Sequence, residues 1–253
     1  MSEFRQRLYL STIADDACPL ARDNGLGLEL AEFCTASNLD RDLPEYAPIV
    51  RKKMQYASRF VFHGPFAELC PAAIDPLVRE VTERRYLQAA AQAESLGIHR
   101  MVIHTGYIPM VYYPVWMIEQ SVAFWKQLLP KLPDGMTILL ENVMEDTAEI
   151  PVSIARDVND PRLRLCLDIG HANTRLSKAP VADWIRAMAP WLSHLHLHNN
   201  DGDWDLHQNL GDGVLPVSEL IRQAEALCPA ATYTIETMHA EPSVRFLKDE
   251  GFL

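Results

Sequence analysis

The sequence lacks the features that mark several large classes of protein. No apolar run is long enough to cross a bilayer. The opening residues, Met1-Ser2-Glu3-Phe4-Arg5, do not have the charged-then-apolar layout of a secretory leader. The expectation is therefore a soluble, cytoplasmic protein. Cysteine is sparse: Cys18, Cys34, Cys70, Cys166 and Cys228 form no C-x-x-C pair, and their odd number argues against a disulfide framework or a cysteine zinc site. The six lysines, at 52, 53, 126, 131, 178 and 248, all fall in helix or loop segments. An imine-forming aldolase needs a lysine at a strand end. There is no G-x-S-x-G elbow, and no G-x-G-x-x-G follows the first strand segment. The net charge of −11 disfavours broad attraction to nucleic acid or anionic membrane. DNA stays possible as a partner without support from charge, because bound metal ions would supply positive charge locally.

What the sequence does have is alternation. Short β-type runs at 8–12, 27–31, 59–63, 101–105, 136–142, 163–168, 192–198 and 232–236 are separated by helix-length stretches. The clearest helical patterns are 71–97, 115–132, 180–189 and 216–227, several opening on proline or an acidic residue. Eight strand–helix units in 253 residues, with no linker or low-complexity segment, predict one domain, a single (β/α)8 barrel spanning 1–253.

The strands end in ionisable residues. His63 and His104 close the third and fourth runs, Glu141-Asn142 the fifth, Asp168 the sixth with His171 three residues on, and Glu236 the eighth. Glu29 sits likewise on the second, and His194, His196 and His198 alternate along the seventh. A charge at the end of an apolar strand is costly unless paired or coordinated. In a barrel the carboxyl ends converge on one face, where carboxylates would repel unless histidines and a divalent cation intervene. The loop after the seventh run adds Asp205 and His207. The segment 237–241 after the eighth lacks the glycines of the common barrel phosphate site.

Four segments carry a resemblance: Leu139-Leu-Glu-Asn142, Cys166-Leu-Asp-Ile-Gly-His-Ala172, His194-Leu-His-Leu-His-Asn199 and Asp205-Leu-His-Gln-Asn-Leu-Gly-Asp-Gly213. Through them the chain resembles the xylose isomerase-like barrel superfamily, which contains endonuclease IV and sugar isomerases and epimerases. The resemblance implies two site patterns. In the isomerase and epimerase pattern, Glu141, Asp168, His196 and Glu236 hold one metal, manganese or magnesium, and Glu141 and Glu236 also transfer the proton. The endonuclease IV pattern adds His63, His104, His171, Asp205 and His207 and implies two or three zinc ions. Glu29, Asn142, His198 and Tyr107 are expected to meet the substrate.

Nine candidate ligands are surplus for one ion, since a single zinc takes about four. The count therefore favours a multi-metal phosphoester hydrolase, with a single-metal sugar or sugar-phosphate isomerase or epimerase as the alternative. A non-catalytic binding barrel is the third reading. The basic and wedge residues that would grip DNA are missing around Phe66-Ala67-Glu68 and Thr35-Ala36-Ser37, while Tyr107, Tyr112, Tyr113 and Trp116 are candidates for stacking on a base or sugar.

Overall fold

A computed structural model describes residues 3–253. Eight parallel strands close into a barrel in sequence order: β1 Leu8–Ser11, β2 Gly27–Leu30, β3 Phe60–His63, β4 Arg100–His104, β5 Thr137–Glu141, β6 Leu163–Asp168, β7 Leu192–Leu197 and β8 Thr232–Ile235. The strand expectations hold to within a residue or so at most ends. Of the helices, α1 (Glu3–Gln6) precedes β1, then α2 (Ala17–Asn24), α3 (Leu43–Lys53), α4 (Pro76–Ser95), α5 (Pro114–Leu128), α6 (Glu149–Val158), α7 (Val181–Met188), α8 (Val217–Leu227) and α9 (Glu241–Asp249) follow successive strands. None of them is long and apolar enough to cross a membrane.

The long helix expected at 71–97 begins later, because Asp75 caps it by accepting a hydrogen bond from the Leu77 amide at 2.8 Å and Pro76 occupies the first turn. Residues 71–75 are thereby released into the loop after β3. The α3 helix escapes a periodicity reading because Pro48 lies inside it.

Strand alternation divides the core in two. Outward-facing Leu8, Leu10, Leu28, Phe62, Ile103 and Leu140 join the helices in the main apolar cluster. Inward-facing Tyr9, Val61, Val102, Leu139 and Cys166 form a separate small cluster that plugs the lower barrel. Gly27 makes room for this plug: a Cβ there would lie 2.2 Å from the Tyr9 ring. One layer higher, the same inward positions become Ser11, Glu29, His63, His104, Glu141 and Asp168. A register irregularity on β6–β7 pairs Cys166 with His194 and Asp168 with His196, skipping Ser193. That extra residue aligns the histidines with Cys166 and Asp168 of β6.

Outside the barrel, Tyr86 is wholly buried and stacked on Trp125 at 5.8 Å. Its hydroxyl finds no hydrogen-bond partner among the described residues. Replacing it by phenylalanine removes an unsatisfied polar atom and leaves the ring, so Tyr86→Phe is expected to raise the unfolding free energy by about 1 kcal/mol in equilibrium denaturation. A loss of stability would mean that the hydroxyl has a partner.

Candidate functional site

The strand ends assemble one polar floor. His196, fully buried on β7, lies at its centre. Its Nδ1 is 3.0 Å from Glu141 Oε1, 3.0 Å from Glu236 Oε2 and 3.7 Å from Asp168 Oδ2. On its other side, Nε2 faces Glu29 Oε1 at 3.0 Å. Around this centre, Glu141 Oε2 approaches His104 Nε2 at 3.3 Å and His63 Nε2 at 3.6 Å. Asp205 draws in His171 at 3.3 Å, His207 at 3.2 Å and His198 at 3.6 Å. Side chains from β2 to β8 and the loop after β7 thus share one small space.

The ligand atoms fall into donor sets, each within 4.8 Å: Glu141, Asp168, His196 and Glu236; His63, His104 and Glu141; and His171, His198, Asp205 and His207. Tautomers show whether these sets suit a cation. His63, His171 and His207 each place Nδ1 against a main-chain carbonyl, of Gly64 at 3.0 Å, Asn142 at 2.8 Å and Glu236 at 2.9 Å. A carbonyl only accepts, so each Nδ1 carries the proton and donates it. Each Nε2 then holds either a lone pair or a second proton. Glu141 Oε2, buried and facing Nε2 of His63 and Nε2 of His104, makes no hydrogen bond. Lone pairs aimed at a carboxylate are repulsive unless a cation lies between them, so the donor set fits a divalent metal.

Without metal, protons take its place. Burial alone would lower His171 and His196, but the surrounding carboxylates outweigh it and hold both well above the ordinary histidine value. His207 is opposed by burial and pushed up to about 9, chiefly through Asp205. Burial would raise Glu141 and Glu236, yet His196 keeps both carboxyls low, less so for Glu236 because the Glu141 charge opposes it. Asp168 stays at about 2 against its own burial, held there by His171 and His198.

A cavity of about 430 Å³ opens above the floor and is lined by His63, His104, Glu141, His171, Asp205, His207 and Glu236 below, and by residues of the loops after β3, β4 and β5 beside them. Tyr107 lines it, as the sequence suggests. Glu29, Asn142 and His198, expected to meet substrate, are not among its lining residues: all three are buried beneath the walls. Glu29 is paired with His196 and His194, and Thr234 donates to its Oε2 at 2.6 Å. Burial pushes His194 down to about 4, leaving it neutral. Asn142 spans to β6, donating to Asp168 O and accepting from Asp168 N at 2.9 Å. His198 lies 2.9 Å from Asp168 Oδ1 and packs flat on His207 at 4.0 Å. Period-two alternation places 194, 196 and 198 on one face but says nothing of depth, which is why His198 reads as a substrate contact. Of the aromatic candidates, Tyr112 lines the cavity, Trp116 donates Nε1–H to Ala72 O at 2.8 Å, and Tyr113 is exposed to solvent.

The sequence reading missed Glu145. It is buried, accepts from Thr105 Oγ1 at 2.5 Å and from the Val143 amide at 2.7 Å, and ties the loop after β5 to the end of β4. No local pattern singles out this loop acid.

Two outcomes are expected. Binding of a divalent ion must displace the protons on the raised histidines, so apparent metal affinity should increase as pH rises from 6.5 toward about 9. Calorimetry in buffers of different ionisation enthalpy should record net proton release, and zero release would contradict the raised protonation of His171, His196 and His207. Glu29→Gln removes the charge that orients His196, so metal affinity should fall by about 10- to 100-fold. Unchanged affinity would remove Glu29 from that role.

Comparison with known proteins places this geometry. The profile described as "Xylose isomerase-like TIM barrel" matches residues 21–249. "Uncharacterized protein MJ1311" of Methanocaldococcus jannaschii is 27% identical over 200 residues, 76% of this chain and 68% of that protein. The TTHB071 protein from Thermus thermophilus, soaked with ZnCl2, is 28% identical with a TM-score of 0.76, over 97% of this chain and 98% of that one. A D-tagatose 3-epimerase-like protein shares the fold at 23% identity and a TM-score of 0.78, covering 97% of each chain. The chain belongs to the xylose isomerase-like TIM barrel family.

Proposed function

We propose that the protein is a divalent-metal-dependent isomerase or epimerase of a ketose-type sugar, acting by proton transfer at the carbon beside the carbonyl. The observation that carries this reading is the charge of the cavity. Its lining contains Glu68, Glu141, Asp205 and Glu236 but no lysine or arginine among the described residues. A phosphate entering it would meet four carboxylates and no lysine or arginine, its only side-chain counter-charge being imidazolium already paired with those acids, whereas a neutral polyol meets no such repulsion. The similarity to a D-tagatose 3-epimerase-like protein supports the same choice. The balance thus moves from the hydrolase that ligand counting favours to the isomerase or epimerase alternative.

Glu141, Asp168, His196 and Glu236 would hold the catalytic ion, whose chemistry is to polarise the substrate carbonyl and stabilise negative charge on its oxygen. The zinc-soaked relative supports a zinc-type ion, with manganese or magnesium as the alternative. Glu141 reaches the cavity from β5, and Glu236 from the end of β8. One carboxylate removes the proton from the carbon next to the carbonyl, and the electron pair passes into the carbonyl to form an enediolate. A proton returned to the opposite face of the same carbon gives the epimer; a proton returned to the neighbouring carbon gives the isomer. Glu141 is the more firmly ionised, and Glu236 the easier to protonate. Glu29 and Asn142 would act from beneath, fixing His196 and the β6 end.

Multi-metal phosphoester hydrolysis is kept as the second reading because of one observation: two further donor sets flank the central one. Elemental analysis of protein purified without chelator, together with proton NMR of ketoses incubated with it in D2O, separates the two. The expected result is deuterium at the carbon beside the carbonyl, with one ion per chain sufficient for exchange. Glu236→Gln should lower the exchange rate by about 10²- to 10⁴-fold, measured with metal content matched to wild type. A protein that needs two or three ions, cleaves phosphodiesters and exchanges no deuterium would be a hydrolase.

A further inference from the structure

We propose that the substrate of this cavity carries an apolar group on the end of the sugar remote from the reacting carbon. The inference deepens the isomerase or epimerase reading and rests on it.

The cavity has two unlike halves. Its floor holds the acids and imidazoles. Its wall is built by three successive loops, with Phe66 and Leu69 after β3, Ile108 after β4, and Val143 and Met144 after β5, joined by Val78 of α4. Phe66, Ile108 and Met144 remain 39%, 46% and 42% exposed, so their apolar surface is available to a ligand rather than spent on the core. Phe66 also lies flat on His104 at 4.3 Å, joining the wall to the floor.

What the wall lacks decides the ligand. Among the described residues, no asparagine, glutamine, serine, threonine, lysine or arginine lines the cavity. Away from the floor its polar side chains are Glu68, Tyr107 and Tyr112, and the Tyr112 hydroxyl is engaged with Cys70. A hydroxyl of a bare polyol held against the apolar part of this wall, away from Glu68 and Tyr107, would lose water without replacement, weakening binding by about tenfold. An apolar substituent in the same place gains from leaving water.

The wall is also preformed. At Gly106 the backbone has φ +74°, and a Cβ would lie 2.7 Å from Leu69 O, so the loops after β3 and β4 pack main chain against main chain. Trp116 clamps the first of these through Ala72 O, and Glu145 ties the third to Thr105. A surface held this firmly presents its apolar shape without an ordering cost at binding.

The test compares D-fructose with 6-O-benzyl-D-fructose by calorimetry on the zinc-loaded protein. The benzyl ether should bind about 10- to 100-fold more tightly. Ile108→Asn and Met144→Asn should each reduce that preference severalfold, with thermal melting and metal content confirming folded, loaded protein. Equal affinities, a preference untouched by both substitutions, or binding of neither sugar overturns the proposal. Benzyl preference without deuterium exchange from either sugar would uphold the apolar wall and sink the isomerase chemistry. Exchange from both sugars with no benzyl preference would do the reverse.

Discussion

Four buried carboxylates, Glu29, Glu141, Asp168 and Glu236, are within 4 Å of one imidazole, that of His196. Like charges about 4 Å apart at a partly shielded site oppose each other by about 4 kcal/mol per pair. The barrel can hold this arrangement only with positive charge among the acids. Imidazolium protons supply it in the absence of metal, and the pairing of Nδ1 with main-chain carbonyls leaves the matching Nε2 atoms pointing at the acids. A divalent ion held by these groups would substitute for several protons at once, with Glu29 beneath it and Asp205 at the rim.

Closed parallel sheet geometry delivers these groups to one place. Alternation sends one residue in two toward the helices, where leucine, isoleucine and phenylalanine form the main core. The other half points inward, and depth then decides chemistry. Tyr9, Val61, Val102, Leu139 and Cys166 seal the lower barrel, while the residues two further along each strand are ionisable on all but the first. The stabilising core and the reactive floor are thus built from the same short strands without competing for positions, as the fold allows generally.

The floor alone does not choose a reaction. Its donor sets would serve proton transfer with one ion or phosphoester hydrolysis with more. The proposed choice rests on the loops, whose wall is largely apolar and, among the described residues, holds no lysine or arginine. Glu145 and Gly106, neither of which reads as functional, hold that wall in shape.

Much of this was legible in one dimension. Strand and helix alternation, the ionisable strand ends and the Asp205–His207 pair are local patterns, because side-chain period and strand length are local properties. They were enough for the barrel and for the residues of the floor. What the sequence could not determine was depth and direction. His194, His196 and His198 share one face by parity, yet His194 is sealed below as a neutral ring, His196 stands at the centre and His198 lies under Asp205. Glu29 looks like a strand-end acid facing substrate and is buried against His194 and His196. Those assignments depend on strand register, on the irregularity that skips Ser193, and on loops closing over the barrel end. All three arise from contacts between residues far apart in the chain, so only the tertiary structure decided them.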